Sequence, residues 1–285
     1  MEPEVVLRWP ARCGEGPVWD AKTGTVHWVD ILAGQVHSTG WRNGPTRTIG
    51  FDGLIGAAAP RASGGFLLAT QQGFAGCTAT GEIDQELIIL DDAHRMNDAK
   101  LDRAGRFWAG STEWSFTPGD GALWRLDPDP ATGAWRAETV LDGLTLPNGL
   151  DWSPDERTFY LVDSIERVIL GYDHDPATGT LSRPRRLIEL PDDPDEGLPD
   201  GLCVDAAGCL WVALYDAARL DRFAPDGARL LSVPLPVRRP TSCAFVGPRL
   251  DRLWITSARE GLPDPTDLDG SNLLLPSPGA VGFSR

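Results

Sequence analysis

Six times along this chain the same short block returns: a small polar turn, a bulky aromatic or aliphatic residue, then a strand-like run. The blocks read GPVWDAKTGTVHWVD from Gly16, GAAAPRASGGFLLAT from Gly56, DAKLDRAGRFWAG from Asp98, GLDWSPDERTFYLVD from Gly149, GLCVDAAGCLWVAL from Gly201 and CAFVGPRLDRLWITS from Cys243. Their aromatic positions, Trp28, Phe66, Trp108, Tyr160, Trp211 and Trp254, recur at intervals of about 40 to 50 residues, the period of propeller blades and other repeat arrays. Counting back 11 to 13 positions from each gives Glu15, Ile55, Asn97, Asn148, Asp200 and Ser242. Most of these carry polar oxygen. In a radial repeat, equivalent positions face one axis, so the pattern predicts a ring of oxygen donors around a central channel.

The strand assignment follows from alternation. GTVHWVDI (24–31) and RTFYLVDS (157–164) alternate as half-buried strands do. Thr-Gly and Asp-Gly pairs at 132–133, 178–179 and 226–227 mark hairpin turns. The 32 Gly and 24 Pro are spread along the chain, and no segment keeps a helical period. Six units of four strands then account for the length, stacked radially so that both faces of each sheet are buried. The expectation is an all-β, six-bladed β-propeller forming one closed domain over residues 1–285, with a pair of β-sandwiches as the alternative. The 11 Trp suit packing between such sheets.

Composition excludes several functions. A formal net charge of −15 repels phosphate backbones, so nucleic acid is an improbable partner. MEPEVVLRWP lacks the basic start and apolar run of a secretory signal, and no apolar stretch approaches the ~20 residues that cross a bilayer. Five cysteines (13, 77, 203, 209 and 243) form no CxxC pair. They read as free thiols in a reducing, cytoplasmic setting, although Cys203 and Cys209 could meet on one hairpin. The acidic Pro-rich stretch 191–201 reads as a loop over one face of the ring.

Glu15, Asn148 and Asp200 sit in CGEGPVWD, LPNGLDW and LPDGLCVD, each followed by glycine. Alone, Pro-Asn-Gly and Pro-Asp-Gly are merely good turn sequences. At equivalent repeat positions, two carboxylates and a carboxamide oxygen converge from three blades and suit one hard divalent cation. Calcium, magnesium and manganese fit oxygen donors on softness grounds, and zinc also takes such sites. Arg95 and Asn97, just before the third block, offer a planar donor fork and an amide for a polyhydroxylated or carbonyl-bearing ligand. The local alternative is an Arg95–Asp98 pair that closes a loop. Glu113 could reach the same mouth or stand as a solvated loop acid. Asp30 and Asp163 end equivalent strands and read as structural.

The four histidines form no HxH or HExxH cluster. No GxSxG elbow, phosphate loop or dinucleotide fingerprint is present. An enzyme built this way must work through a metal and carboxylates.

The chain resembles the senescence-marker-protein/gluconolactonase/luciferin-regenerating family through GEGPVWD (14–20), RMNDAKLDRAGRFWAG (95–110), PNGLDWSPDERTFYLVDS (147–164), PDGLCVDAAGCLWVA (199–213) and PTSCAFVGPRLDRLWITSAR (240–259). The resemblance implies a six-bladed propeller with one divalent metal in the channel. It places metal ligands on Glu15, Asn148 and Asp200, and substrate contacts on Arg95 and Asn97. The family commonly has Asn-Asp-Gly-Lys where this chain reads Asn97-Asp98-Ala99-Lys100. The C-terminal segment 278–285 comes early, so the strand that closes the ring is expected either to be short or to be completed by the N-terminal segment 4–10.

The function expected is a metal-dependent lactonase that opens sugar lactones, with Asp200 both ligand and base and with Glu113 as a further substrate contact. A phosphotriesterase-like hydrolase and a non-catalytic, calcium-binding regulatory propeller are the alternatives. Nothing in the chain calls for an obligate protein partner.

Overall fold

The computed structural model describes residues 2–42, 44–129 and 132–283. Their strands form six antiparallel four-stranded sheets, each in simple up-and-down order. Five sheets use consecutive strands, starting with the inner strands Gly14–Asp20, Ile55–Pro60, His94–Leu101, Pro147–Trp152 and Leu198–Val204. The sixth takes Arg239–Val246, Arg252–Ala258 and Asn272–Leu275 from the end of the chain and Glu4–Leu7 from its start. Glu4 and Val5 pair with Leu274 and Leu273, so the N-terminal strand closes the ring, one of the two closures the sequence left open. The fold is a six-bladed β-propeller. Of the stretch 191–201, expected as a loop, Pro194–Glu196 forms a short 3₁₀ turn and residues 198–201 already belong to the fifth inner strand.

The core lies between blades. Six clusters of buried apolar side chains each join two neighbouring sheets, such as Trp211 and Leu220 with Phe245 and Leu253 between the fifth and sixth. Trp28, Trp108, Trp152, Trp211 and Trp254 are fully buried there. Trp108 and Trp211 donate their indole N–H to Asp102 and Asp205 at 3.0 and 3.1 Å, which satisfies a polar group that burial would otherwise penalise.

All six inner strands bulge at one place. Pairing shifts between Glu15 and Val18, Ile55 and Ala57, Met96 and Ala99, Pro147 and Leu150, Pro199 and Leu202, and Pro240 and Ser242. A bulge inserts a residue and re-aims its side chain. Here it turns Glu15, Asn97, Asn148 and Asp200 toward the axis. It also corrects the sequence alignment: the equivalent residues in the second and sixth blades are Gly56 and Thr241, one place from Ile55 and Ser242. Thr241 confirms this, because its hydroxyl donates to the Gly14 carbonyl at 2.5 Å as the Asn97 amide donates to the Pro147 carbonyl at 3.1 Å.

The glycines after the bulge are demanded by close approach. A Cβ at Gly149 would lie 2.4 Å from the Leu202 nitrogen, and one at Gly201 would lie 2.1 Å from the Ser242 hydroxyl. In the third blade Asp98 takes this position. Ala99, which replaces the family's glycine, is buried among Ala57, Ala59 and Met96 without disturbing the strand.

The five cysteines are free thiols. The neighbour of Cys203 is Cys243 on the next blade, with sulfurs 3.5 Å apart, rather than Cys209. Among the described residues no helix is long and apolar enough to cross a membrane.

Candidate metal and substrate site

At the end of the channel where the inner strands begin lies a cavity of about 310 Å³, within the range of small-molecule sites. Glu15, Asn97, Asn148 and Asp200 all line it, each at least nine-tenths buried. Side chains two residues apart on a strand share a face, so a second tier stands above this base: Cys13, Arg95, Leu146 and Leu198. Residues at the ends of the second strands or one place beyond them, Tyr215 and Ala258, Ile31 and Ser164, form a further tier around the wall. Sequence comparison of the blades caught the base and Arg95. It missed Cys13, Ser164 and Tyr215, whose equivalence depends on the strand register.

The base is braced from the wall. The Asn148 amide nitrogen donates to the Ser164 hydroxyl at 3.1 Å, and that hydroxyl donates to the Pro199 carbonyl at 2.6 Å. This network fixes the amide so that its oxygen is the free atom. Glu15 accepts the Gly16 N–H through one carboxylate oxygen, at 2.7 Å, and keeps the other. Asp30 accepts the N–H groups of Arg12 and Cys13, and Asp163 those of Thr145 and Leu146, at 2.8 to 3.0 Å. These two acids are structural: they clamp the chain that leads into each ligand.

Electrostatically the base is crowded with acid. Burial, then Asp200 and Asp98, push the Glu15 carboxyl well above its usual range. Burial and Asp98 do the same to Asp200, opposed by the Gly201 N–H and by Arg95. Asp98, just below, is raised to about 6 by burial, with Lys100 opposing. Arg95 is itself desolvated, which lowers its pKa. It donates to the Asn97 amide oxygen at 2.7 Å, and its guanidinium stands 5.8 Å from the Trp114 ring centroid.

Two carboxylates and one oriented amide oxygen in a desolvated pocket fit a hard divalent ion, with water completing the shell. Among the described residues no group of three His, Cys, Asp or Glu side chains is placed to hold a metal, so the third protein donor would have to be Asn148. Glu113 does not line the cavity. Its carboxylate accepts from Ser115 and from both donors of Thr117, at 2.8 to 3.3 Å, and so holds the loop that carries Phe116 to the rim. Asn97 lines the cavity, but its amide is engaged at both ends. Its main effect is to hold Arg95 and the next blade.

The opposite mouth holds a larger cavity, about 640 Å³, with Trp41 and Phe283 on its wall. Its Lys100 is bound to Asp151 at 3.3 Å and to the Leu202 carbonyl at 3.1 Å. The chain end crosses this mouth: Ala206 donates to the Val281 carbonyl and Gly282 to that of Leu250, both at 2.8 Å. Among the described residues it offers no oxygen ring like that around Asp200.

Residues 13–259 match the model of the SMP-30/gluconolactonase/LRE-like region. The chain belongs to that family. Zebrafish (Danio rerio) regucalcin is 36% identical over 269 residues, covering 91% of this chain and 87% of that protein. A luciferin-regenerating enzyme superposes with a TM-score of 0.88 at 28% identity, covering 99% of this chain and 98% of that one. Regucalcin of Agrobacterium tumefaciens, a calcium-binding protein, superposes with a TM-score of 0.89 at 26% identity, covering 99% and 96%.

Proposed function

We propose that the protein is a divalent-metal-dependent lactonase that opens sugar lactones to the aldonic acid. Its family includes gluconolactonases, which supports a lactonase-type activity. The observation that carries the reading is the ring of Glu15, Asn148 and Asp200 at the floor of a small-molecule cavity, beside the desolvated Arg95.

A divalent ion held by Glu15, Asn148 and Asp200 would polarise the lactone carbonyl and acidify water. Oxygen donors favour calcium, magnesium or manganese, with zinc a further candidate. Arg95 directs its free N–H groups at ring or hydroxyl oxygens and orients the lactone. Asp200 takes the proton of the attacking water. The water oxygen bonds to the carbonyl carbon, the acyl C–O bond breaks and the ring oxygen takes up a proton. The product is a hydroxy acid that ionises and releases one proton. The low-dielectric cavity strengthens each of these contacts.

Calcium binding without catalysis is a second reading, favoured by the regucalcin name of the relatives and the calcium-binding neighbour. Metal analysis of purified protein, coupled to a lactone panel followed by proton release, separates the two. Metal-dependent turnover supports the enzyme. Stoichiometric metal with no turnover on any lactone supports the binding protein.

A further inference from the structure

The Asn97 amide and the Thr241 hydroxyl each cross to the next blade and donate to a backbone carbonyl, of Pro147 and Gly14, at 3.1 and 2.5 Å. Those carbonyls belong to the residues directly before Asn148 and Glu15. A peptide unit is planar, so pinning its oxygen also fixes the Cα that follows. The third carbonyl of this kind is that of Pro199, directly before Asp200. By position its donor should be Asn148, the bulge residue of the fourth blade. Its donor is instead the buried Ser164, at 2.6 Å, and Asn148 donates to Ser164 at 3.1 Å.

Chemistry sets the direction of this relay. A carbonyl only accepts, so the single hydroxyl proton of Ser164 is committed to Pro199. Toward Asn148 the hydroxyl then only accepts, and it takes the amide nitrogen. The amide oxygen is left for the cavity. Asn97 shows the other outcome: its nitrogen goes straight to the Pro147 carbonyl, and Arg95 occupies its oxygen at 2.7 Å. The third blade has a hydroxyl at the position of Ser164, but Thr112 sends it to the Thr145 carbonyl at 2.8 Å and leaves Pro147 to Asn97. One residue type at one repeat position has two fates, and the difference is a hydroxyl between amide and carbonyl.

We infer that Ser164 is the positioning residue that makes Asn148 a ligand rather than a strut, so that metal affinity depends on its hydroxyl. The inference rests on the reading of Glu15, Asn148 and Asp200 as metal ligands. Without the hydroxyl, the Pro199 carbonyl loses its donor and the Asn148 nitrogen its acceptor, and buried groups left unpaired are costly. Each can satisfy the other, as Asn97 and Pro147 already do. The amide then swings onto the Pro199 carbonyl and its oxygen turns away from the ion. The fold keeps a bond between the two blades while the metal loses a donor.

The test is calorimetric titration of calcium, magnesium, manganese and zinc into metal-stripped parent, Ser164→Ala and Ser164→Thr protein, with thermal unfolding of the metal-free forms alongside. Groups that orient a metal ligand alter affinity by roughly 10- to 100-fold. Ser164→Ala should therefore bind the ion that the parent binds about tenfold or more weakly, with a metal-free unfolding midpoint close to the parent's. Ser164→Thr, which keeps the hydroxyl, should restore the affinity. A crystal structure of metal-free Ser164→Ala should place the Asn148 nitrogen within hydrogen-bond distance of the Pro199 carbonyl. Parent-like affinity in Ser164→Ala would overturn the inference and leave the metal site standing. If Ser164→Thr fails to fold, the Ser164→Ala crystal structure decides: an Asn148 amide that has not moved to Pro199 overturns it. A parent that binds none of the four ions would remove the metal reading and this inference together.

Discussion

The side-chain amide of Asn97 donates to the carbonyl oxygen of Pro147, 50 positions along the chain and 3.1 Å away on the next blade. Thr241 makes the same contact to Gly14 across the closing seam. Two of the six bulge positions are therefore struts between blades, while Glu15, Asn148 and Asp200 are left to face a ligand. Asn97→Ala should cost about 1 to 3 kcal/mol, because the Pro147 carbonyl and Arg95 each lose a buried partner. Denaturant unfolding of this variant against Arg95→Ala checks it. A midpoint unchanged from the parent would mean that Asn97 serves the ligand alone.

Arg95→Ala should raise KM for a lactone by about tenfold or more while metal binding is retained, as expected for a group that contacts ligand and not metal. Loss of metal from this variant would place Arg95 in the floor instead.

Gly149→Ala should be among the most damaging single substitutions. The added Cβ meets backbone atoms of Leu202 and Asp200 at 2.4 and 2.6 Å, and backbone cannot rotate aside as a side chain can. Loss of metal affinity together with a lowered unfolding midpoint is expected; a parent-like protein would show that the two inner strands are not held so close.

Removing residues 2–7 deletes the outer strand of the sixth blade and exposes Asn272–Leu275 as a bare edge. Val5 and Val6 also leave two interblade clusters. The truncated protein should unfold several degrees lower and self-associate through the open edge, read by thermal scanning and light scattering.

His37 is fully buried, stacked on Trp28 with ring centroids 4.0 Å apart, and burial lowers its pKa to about 4. The folded state holds it neutral, whereas the unfolded chain takes up the proton near pH 6.5. Its contribution to stability is therefore complete above pH 6.5 and lost as pH falls from there to about 4. Unfolding midpoints at pH 7, 5.5 and 4 should fall less steeply in His37→Gln than in the parent. Parallel slopes would show that His37 titrates alike in both states.

The fold was legible because the repeat is local: turn, aromatic and alternating run lie within one blade. Glu15, Asn148 and Asp200 were legible because each precedes a glycine at one repeat position. Gly56 and Thr241 were misplaced by one residue, since a bulge adds a residue that sequence spacing does not reveal. Tyr215, Ser164 and Cys13 were missed because their equivalence appears only once register is known. Glu113 was drawn toward the mouth by its neighbours, although Ser115 and Thr117 capture its carboxylate.

The central claim is that three residues from three blades hold one functional metal. Calorimetric titration of calcium, magnesium, manganese and zinc into metal-stripped parent, Glu15→Gln, Asn148→Ala and Asp200→Asn protein tests it most directly. The account expects one site per chain for at least one ion in the parent, weakened by about 100-fold or more in each variant with the fold retained. Undiminished affinity in any one of the three would contradict it.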